Sequence, residues 1–488
     1  MQARRVHGPQ SYASSSSTAS TSPLSGKGPE SPQAASEAGF TAGQLPEAVP
    51  FDEILSASAR ERHCSPCCCA SKRTAQLVVH TFRRSRQRRC EWRRLDIVLA
   101  APSAEVAAEW VARINGALRQ AHQRPGALLV LVNPFGGARR ARRTWQRTAE
   151  PILEAAGARS VVVETERAGH ARELVEGLSA AELESYDGIV AVGGDGLFQE
   201  ALNGLLAVRG SGGKAGVAAE RMRLGHIPAG STDAVACSLH GTRCATTAAL
   251  HIALGDRTAL DVMRVDTEDG GHRFAACVGS YGYMGDLMAL SERMRWLGPG
   301  RYGLAGALTL LRGRAYGAAV SLLPAEPARA GARLECRSPC ALCGACGAAP
   351  AAAAAEFQAR SHRALGEGTW RHVEGRFRSV MVAVSPCRSD MSARGLAPWA
   401  HLADGRLTLV LVRECSTLQY LRFLTSIPRH GVEPGRFGFV EVAECTAVQI
   451  WPRGHESRWN LDGELLSDNR LTVRVHRGLV SVFARGVE

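Results

Sequence analysis

An aspartate set among glycines, Gly193-Gly194-Asp195-Gly196, closes the apolar run in "IVAVGGDGLFQEALNGLL", residues 189 to 206. Glycines have no Cβ and tolerate positive φ, so backbone and ligand can approach each other closely around this one carboxylate. Two further turns have a similar make-up: "NPFGG", which is Asn133, Pro134, Phe135, Gly136 and Gly137, and "PAGSTD", which contains Gly230 and Ser231. Such turns, each leading into a helix, make a concavity of backbone N–H groups beside positive helix ends, and a concavity of that kind binds phosphate. The chemistry implied is phosphoryl transfer. No GxxxxGK[ST] element is present, which excludes a P-loop, and the HRD and DFG elements of protein kinases are absent. A Gly-Asp-Gly turn by itself is commonly only a turn. The signal is the ordered set of four, completed by "TERAGHA" with Thr165, Glu166, Arg167, Ala168 and Gly169.

These turns need strands to end on. Leu128 to Val132 reads as a buried strand, Arg139 to Ala156 as a helix, "SVVVET" as a strand, "GHARELVEGL" as a helix, and "YDGIVAVGGDG" as the strand that delivers Asp195. "LGHIPAGSTDAVA" repeats the arrangement, with Pro228 at the strand end. Alternating strands and helices predict a Rossmann-like parallel α/β domain over residues 126–260, with its ligand crevice at the carboxyl ends of the strands. Beyond about residue 260 the texture becomes strand-rich, as in "RFRSVMVAVS", "GRLTLVLVREC" and "RLTVRVHRGLVSVFARG". This predicts a separate β-sandwich domain over 261–488, interrupted by a Cys- and Ala-rich insert at 336–368, with the active cleft between the two domains.

At 488 residues and 45% hydrophobic content, the chain is long enough for two or three packed domains. Its formal charge of +13 points to an anionic partner without choosing among phosphate, membrane and nucleic acid. Residues 1–50 are rich in Ser, Pro, Gly and Ala, and are expected to be disordered. The start lacks a basic stretch followed by an apolar one, and no apolar run reaches the ~18 residues of a spanning helix. The fifteen cysteines therefore read as reduced thiols, and the expected location is cytoplasmic, peripheral on an intracellular or plasma membrane.

In "QLVVHTFRRSRQRRCEWRRLDIVLA" the runs Leu77–Phe82 and Leu95–Leu99 read as strands, and the following helix carries Ala107, Trp110, Val111, Ile114 and Leu118 on one face. Residues 51–122 resemble the second half of a pleckstrin-homology domain whose opening strands are not visible. Residues 60–94 hold eleven Lys or Arg against two Glu, which suits either anionic lipid headgroups or a solvated basic face.

The four glycine-rich elements, taken with "YGYMGDL", "RWLG" and "WNLDGE", resemble the diacylglycerol and sphingosine lipid kinase family. That family shares the logic of its nucleotide domain with phosphofructokinase and NAD kinase. "CRSPCALC" and the pleckstrin-homology-like segment make the resemblance strongest to its ceramide-phosphorylating branch, over residues of about 51 to 488. The resemblance implies ATP and Mg²⁺, with ceramide as lipid substrate at an anionic membrane surface, and no nucleic acid. It makes Asn133 to Gly137 the first nucleotide loop and Thr165 to Gly169 the second, with Glu200 beside it. Gly230 and Ser231 become the phosphate turn, and Arg295 and Arg301 lie near the ATP phosphates. Asp462, Gly463 and Glu464 reach toward the nucleotide, the two acids toward Mg²⁺; without the resemblance they read as a plain hairpin turn. Asp195 becomes the general base, and Gly193, Gly194 and Gly196 give the lipid headgroup access to it. Asp286 reads as the lipid's polar anchor or as a helix N-cap, and "LAGALTLL" as an acyl-chain lining or as core.

Cys336, Cys340, Cys343 and Cys346 read as a Zn²⁺ site or as an exposed, redox-sensitive loop, and "CSPCCC" at 64–69 as fortuitous. "TLQYLRFLTSIPRH", residues 417–430, is partly basic and amphipathic and lies where this branch binds calmodulin, so Ca²⁺ regulation is open; Pro428 is expected to break a longer helix. Other functions compatible with the residues are a sphingoid-base or diacylglycerol kinase, or a non-catalytic adaptor with a kinase fold.

Overall fold

The computed structural model describes residues 48–63, 73–120, 124–137, 139–326, 369–454, 457–466 and 470–487. The tail before residue 48, both cysteine clusters and the 336–368 insert lie outside them. Packing divides the chain into a smaller unit, within Met1–Thr81 and Leu95–Gln120, and a larger one, Phe82–Arg94 with Ala121–Glu488.

Strands β1 (Ser56–His63), β2 (Arg73–Arg84) and β3 (Trp92–Ala101) form a sheet in that order, followed by helix α1 (Ala104–Gln120). In the smaller unit, Ile54, Ala57, Leu77, Val79 and Leu118 make a core of their own, against which Val111 and Ile114 pack. Trp110 is not on this face. It is 45% exposed, with Arg113 over its ring, because a helix one turn from Ala107 buries the narrow stripe 107/111/114/118 and leaves 110 at its edge.

The α/β part of the larger unit runs β4 (Ala127–Val132), α2 (Ala141–Thr144), a π turn at Trp145–Ala149, α3 (Glu150–Ala155) and β5 (Arg159–Glu164). It continues through α4 (His170–Glu176), α5 (Ala180–Glu184), β6 (Gly188–Gly193), α6 (Asp195–Ser211), α7 (Gly213–Arg221) and β7 (Arg223–Pro228). Helices α8 (Ala234–His240) and α9 (Ala245–Leu254) follow. β4 and β6 are almost wholly buried, as continuous apolar runs in a covered parallel sheet should be. The parallel order is β5-β4-β6-β7, so the chain leaves β4 to one side and returns on the other. The crevice of such a sheet opens at this switch, beyond the carboxyl ends of β4 and β6.

The remainder comprises β8 (Arg257–Asp266), β9 (His272–Ala275), β10 (Val278–Gly282), α10 (Tyr283–Arg293), α11 (Arg301–Arg312), β11 (Tyr316–Pro324) and β12 (Arg371–Ala383). Then come β13 (Leu407–Arg413), α12 (Thr417–His430), β14 (Val440–Pro452), β15 (Trp459–Leu461), β16 (Glu464–Leu466) and β17 (Leu471–Phe483). The 13-residue strands β12 and β14 each pair with both β11 and β13, so these four strands close on themselves around Val320, Phe377, Leu409 and Ile450. The expected detached domain is not what the hydrogen bonds draw. β17 pairs antiparallel with β8 and β14 and parallel with β7, through Ser481↔Arg223 and Val482↔Leu224, so a 14-stranded mixed sheet runs through both halves. α12 continues through Pro428 to His430, because a proline three residues from the end removes only a last-turn hydrogen bond.

Candidate active site

Four turns meet at the carboxyl ends of β4 to β7. In the first, Asn133 Oδ1 accepts from the amides of Phe135 (2.9 Å) and Gly136 (3.0 Å), so the side chain itself builds the turn. Gly137 takes φ 57°, and a Cβ on it would lie 2.6 Å from the Ala229 carbonyl of the PAGSTD turn. Only glycine allows those two loops to touch.

The glycines around Asp195 serve contact rather than unusual conformation. None of Gly193, Gly194 and Gly196 is among the residues at positive φ, contrary to one reason for expecting them. A Cβ on Gly193 would meet Leu197 Cδ2 at 2.9 Å, and one on Gly194 would meet Gly230 Cα at 3.2 Å. Gly196 faces open space, with no atom within 4 Å of such a Cβ.

Asp195 is the first residue of α6 and half-buried. Its Oδ2 accepts from the Ala234 amide and its Oδ1 from the Val235 amide, both at 2.9 Å. These are orphan donors at the start of α8, so Asp195 caps a neighbouring helix while its carboxylate is aimed by two fixed dipoles. The helix's own N-cap, Asp233, is otherwise engaged: it is buried in a left-handed conformation, with Oδ1 on the Gly230 amide (2.9 Å). Its Oδ2 faces Arg243 at 2.9 Å; Arg243 also donates to the Gly230 carbonyl (2.8 Å) and reaches Asp390 at 3.2 Å. Burial pushes the Asp233 carboxyl up and the charge of nearby Asp195 adds to the rise, while His226, Arg243 and the Gly230 amide pull it down. Sequence reasoning missed this Asp233–Arg243–Asp390 bracket. The aspartate ahead of a helix was a legible cap signal, but nothing local marks Arg243 or Asp390.

The second loop follows β5 and leads into α4. Thr165 is buried on the Val132 carbonyl through its amide (2.9 Å), Arg167 pairs with Glu173 at the surface (2.7 Å), and Gly169 at φ 79° opens α4. Glu200 Oε2 accepts from the Ala171 amide (3.1 Å), which brings it to the same helix start. Ser231 is exposed at the tip of its turn.

Asp462 and Glu464 go separate ways. Asp462 (φ 47°) and Gly463 (φ 96°) form the tight turn of the β15–β16 hairpin, which is the plain reading of "LDGE". Asp462 is half-buried, and its carboxylate accepts from the amides of Ala276 (2.7 Å), Cys277 (3.1 Å) and Val278 (2.6 Å). Burial pushes it up to about 6 against those three donors, and the charge of Asp195 adds to the rise. Glu464 is half-exposed and pairs with Arg273 at 3.1 Å. The two carboxylates therefore do not converge on a shared Mg²⁺ position.

Asp286 is not an N-cap: Gly282 occupies that position, and Asp286 stands one turn inside α10. One of its oxygens accepts from the Ser457 hydroxyl (2.6 Å) and the other from the Tyr316 hydroxyl, which burial and then Asp286 hold protonated. Arg301 is half-buried, donating to the Tyr302 hydroxyl (2.8 Å) with Glu292 at 3.6 Å, and Arg295 opens the short helical turn Arg295–Gly300. In "LAGALTLL", Ala305, Gly306 and Thr309 are buried while Leu304 and Leu311 are exposed, so the segment is one face of a surface helix. In α12, Tyr420 and Phe423 are buried in the core beneath it. No described set of three or more His, Cys, Asp or Glu is arranged to hold a metal ion.

A parallel switch-point crevice bordered by glycine turns, with a directed carboxylate beside it, is an arrangement that can receive a phosphorylated ligand. The family model of the diacylglycerol kinase catalytic domain matches residues 127–265, and that of the ceramide kinase C-terminal domain matches 274–458. The chain is 34% identical to the ceramide kinase of Homo sapiens over 452 residues, covering 84% of this chain and 83% of that protein. It is 32% identical to the ceramide kinase of Arabidopsis thaliana, covering 85% and 81%, and 26% identical to the ceramide kinase-like protein of Homo sapiens, covering 78% and 72%. A crystal structure of a diacylglycerol kinase from Bacillus anthracis str. Sterne is 14% identical with a TM-score of 0.47, covering 74% of this chain and 97% of that one. The chain belongs to the ceramide kinase family and is a lipid kinase.

Proposed function

We propose that this enzyme transfers the terminal phosphate of ATP to the primary hydroxyl of ceramide, giving ceramide 1-phosphate and ADP at a membrane surface. The observation that carries this reading is the Asp195 carboxylate, half-exposed at the head of α6 and aimed by the Ala234 and Val235 amides between two phosphate-type turns. Each of its oxygens keeps a lone pair beyond its amide bond. Asp195 accepts the hydroxyl proton as the lipid oxygen attacks the γ-phosphorus; the bond from that phosphorus to its bridging oxygen breaks and ADP departs. A carboxylate suffices as base, because the transition state is loose and positioning dominates the barrier.

The turns 133–137 and 229–231 border the phosphates, with the Gly137 and Ser231 amides as donors, since those of Asn133, Phe135, Gly136, Ala229 and Gly230 are taken up within the fold; the segment 165–169 with Glu200 borders the rest of the nucleotide. Gly196, open on its Cβ side, leaves room for the headgroup, and Asp286 with its two hydroxyl partners holds the lipid's polar end. Mg²⁺ enters with ATP as substrate. Asp462 and Glu464 do not fit a common ion, since the first is saturated by amides and the second pairs with Arg273, so no step runs through them. We read the smaller unit, three strands closed by a helix, as a pleckstrin-homology-like segment.

A radiolabelled-phosphate assay with ceramide, sphingosine and diacylglycerol in matched detergent micelles tests the reading. Preferential labelling of ceramide supports it; preference for another lipid, or labelling of none, overturns it.

A further inference from the structure

We infer that α11, α12 and the turn Arg295–Gly300 form one face by which the enzyme docks on an anionic bilayer, a reading that rests on its acting on a lipid. Eleven large apolar side chains stand exposed among the described residues, and five of them, Trp296, Leu304, Leu311, Leu418 and Leu421, fall on these three segments. Scattered exposed leucines are ordinary, but a cluster marks an interaction surface. The segments adjoin. A Cβ on Gly313 would lie 3.3 Å from Thr417 Oγ1, so the end of α11 abuts the start of α12, and Leu310 packs into the cluster around Tyr420 and Phe423.

Charge selects the occupant. Residues 295–314 contain four arginines and 417–430 two, with no acid in either stretch. Arg312, Arg314, Arg422 and Arg429 are exposed and outside any ion pair among the described residues. Exposed leucines on segments that also carry unpaired arginines suit acyl chains beneath acidic headgroups. A second copy would set these arginines against each other. A protein that wraps α12 would have to pull Tyr420 and Phe423 out of the core, where each is 1% exposed. The face also adjoins the polar anchor: the Tyr283 hydroxyl of α10 donates to the Gly306 carbonyl of α11 (3.1 Å), one turn from Asp286. A lipid leaving the bilayer here meets that carboxylate first.

The test is co-sedimentation of the full chain with phosphatidylcholine vesicles, with and without about 30 mol % phosphatidylserine, beside activity on ceramide in detergent micelles. The pairs Leu304→Asp with Leu311→Asp, and Leu418→Asp with Leu421→Asp, are expected to weaken vesicle binding at least about tenfold with micellar activity kept. Arg312→Glu with Arg314→Glu is a gentler second variant, expected to cost about fivefold per arginine on the anionic vesicles alone. Vesicle binding unchanged in all three pairs overturns the inference, and so does wild-type capture on Ca²⁺-calmodulin through α12 with vesicle binding unaffected by the leucine pairs. Failure to label ceramide in micelles would instead strike the proposed function and leave the vesicle result standing.

Discussion

Asp195 and Asp462 lie 267 positions apart in the chain, yet each stands at a turn and takes backbone N–H groups on both carboxylate oxygens. Both side chains are half-buried, but Asp195 takes one amide on each oxygen, whereas Asp462 takes three, one of them shared between its two oxygens. Amide donors alone therefore do not mark a reacting carboxylate, since they orient either kind. What separates the two is whether the amides leave lone pairs for another molecule. Burial pushes Asp462 up to about 6, the signature of a group that exchanges solvation for architecture: it ties the β15–β16 turn to the corner between β9 and β10.

The comparison breaks most readily at Asp195. Asp195→Asn keeps the size of the side chain and removes its basicity, so kcat should fall by about 10³-fold or more while ATP still binds, as measured by nucleotide titration. Comparable turnover in the variant would remove the general-base assignment. Asp462→Ala should act on the other axis. Three buried amides lose their acceptor, which should cost about 3 kcal/mol or more of folding stability in denaturant unfolding. If Asp462 instead served the metal, stability would hold and the Mg²⁺ concentration for half-maximal activity would rise.

Two glycines sharpen the same contrast between contact and access. A Cβ at Gly230 would crowd Gly194 Cα and lie 2.6 Å from Asp233 Oδ1, so Gly230→Ala must spread the loops and should lower the melting temperature together with activity. A Cβ at Gly196 meets nothing within 4 Å. Gly196→Ala should therefore melt like the wild type and raise KM for lipid by about tenfold; an unchanged KM would mean that no substrate comes close there.

How much of this was legible follows the range of the interactions. β4 and β6 announce themselves as continuous apolar runs ending in glycine, and the order of turns was enough to find Asp195. The junction through β17 was not legible, because a strand with alternating polar residues reads the same whether its neighbour is β14 or β7. Trp110 misled because its spacing of three from Ala107 counts as the same helical face, while the helix buries only the narrower stripe through 107, 111, 114 and 118. The bracket of Asp233, Arg243 and Asp390 joins residues up to 157 positions apart, and no local pattern carries such a pairing. The roles of Asp462 were both visible as alternatives, and only the three amides that reach it decide for the turn.

The smallest effect expected comes from a third aspartate that extends the comparison. Asp261 on β8 is wholly buried, with Oδ1 on the Gly478 amide and Oδ2 on the Gly405 amide, both at 2.6 Å. Burial, opposed by those two amides, pushes it up to about 8 from an ordinary value of 3.8. In the unfolded chain the group ionises near its ordinary value, so its contribution to stability is full below about pH 4 and is lost as the pH rises to about 8. Asp404 and Asp462, each near 6, lose theirs at lower pH, and the buried His240, at about 3, is neutral in both states above its ordinary 6.5. From about pH 7.5 to 8, above these values, Asp261 is the group of these that still titrates. Stability there should decline by up to about 1.4 kcal/mol per pH unit, and Asp261→Asn, which cannot ionise, should flatten the decline in denaturant unfolding at matched ionic strength. An equally steep decline in that variant would assign the proton to another group and leave Asp261 as an ordinary clamp between two glycine turns.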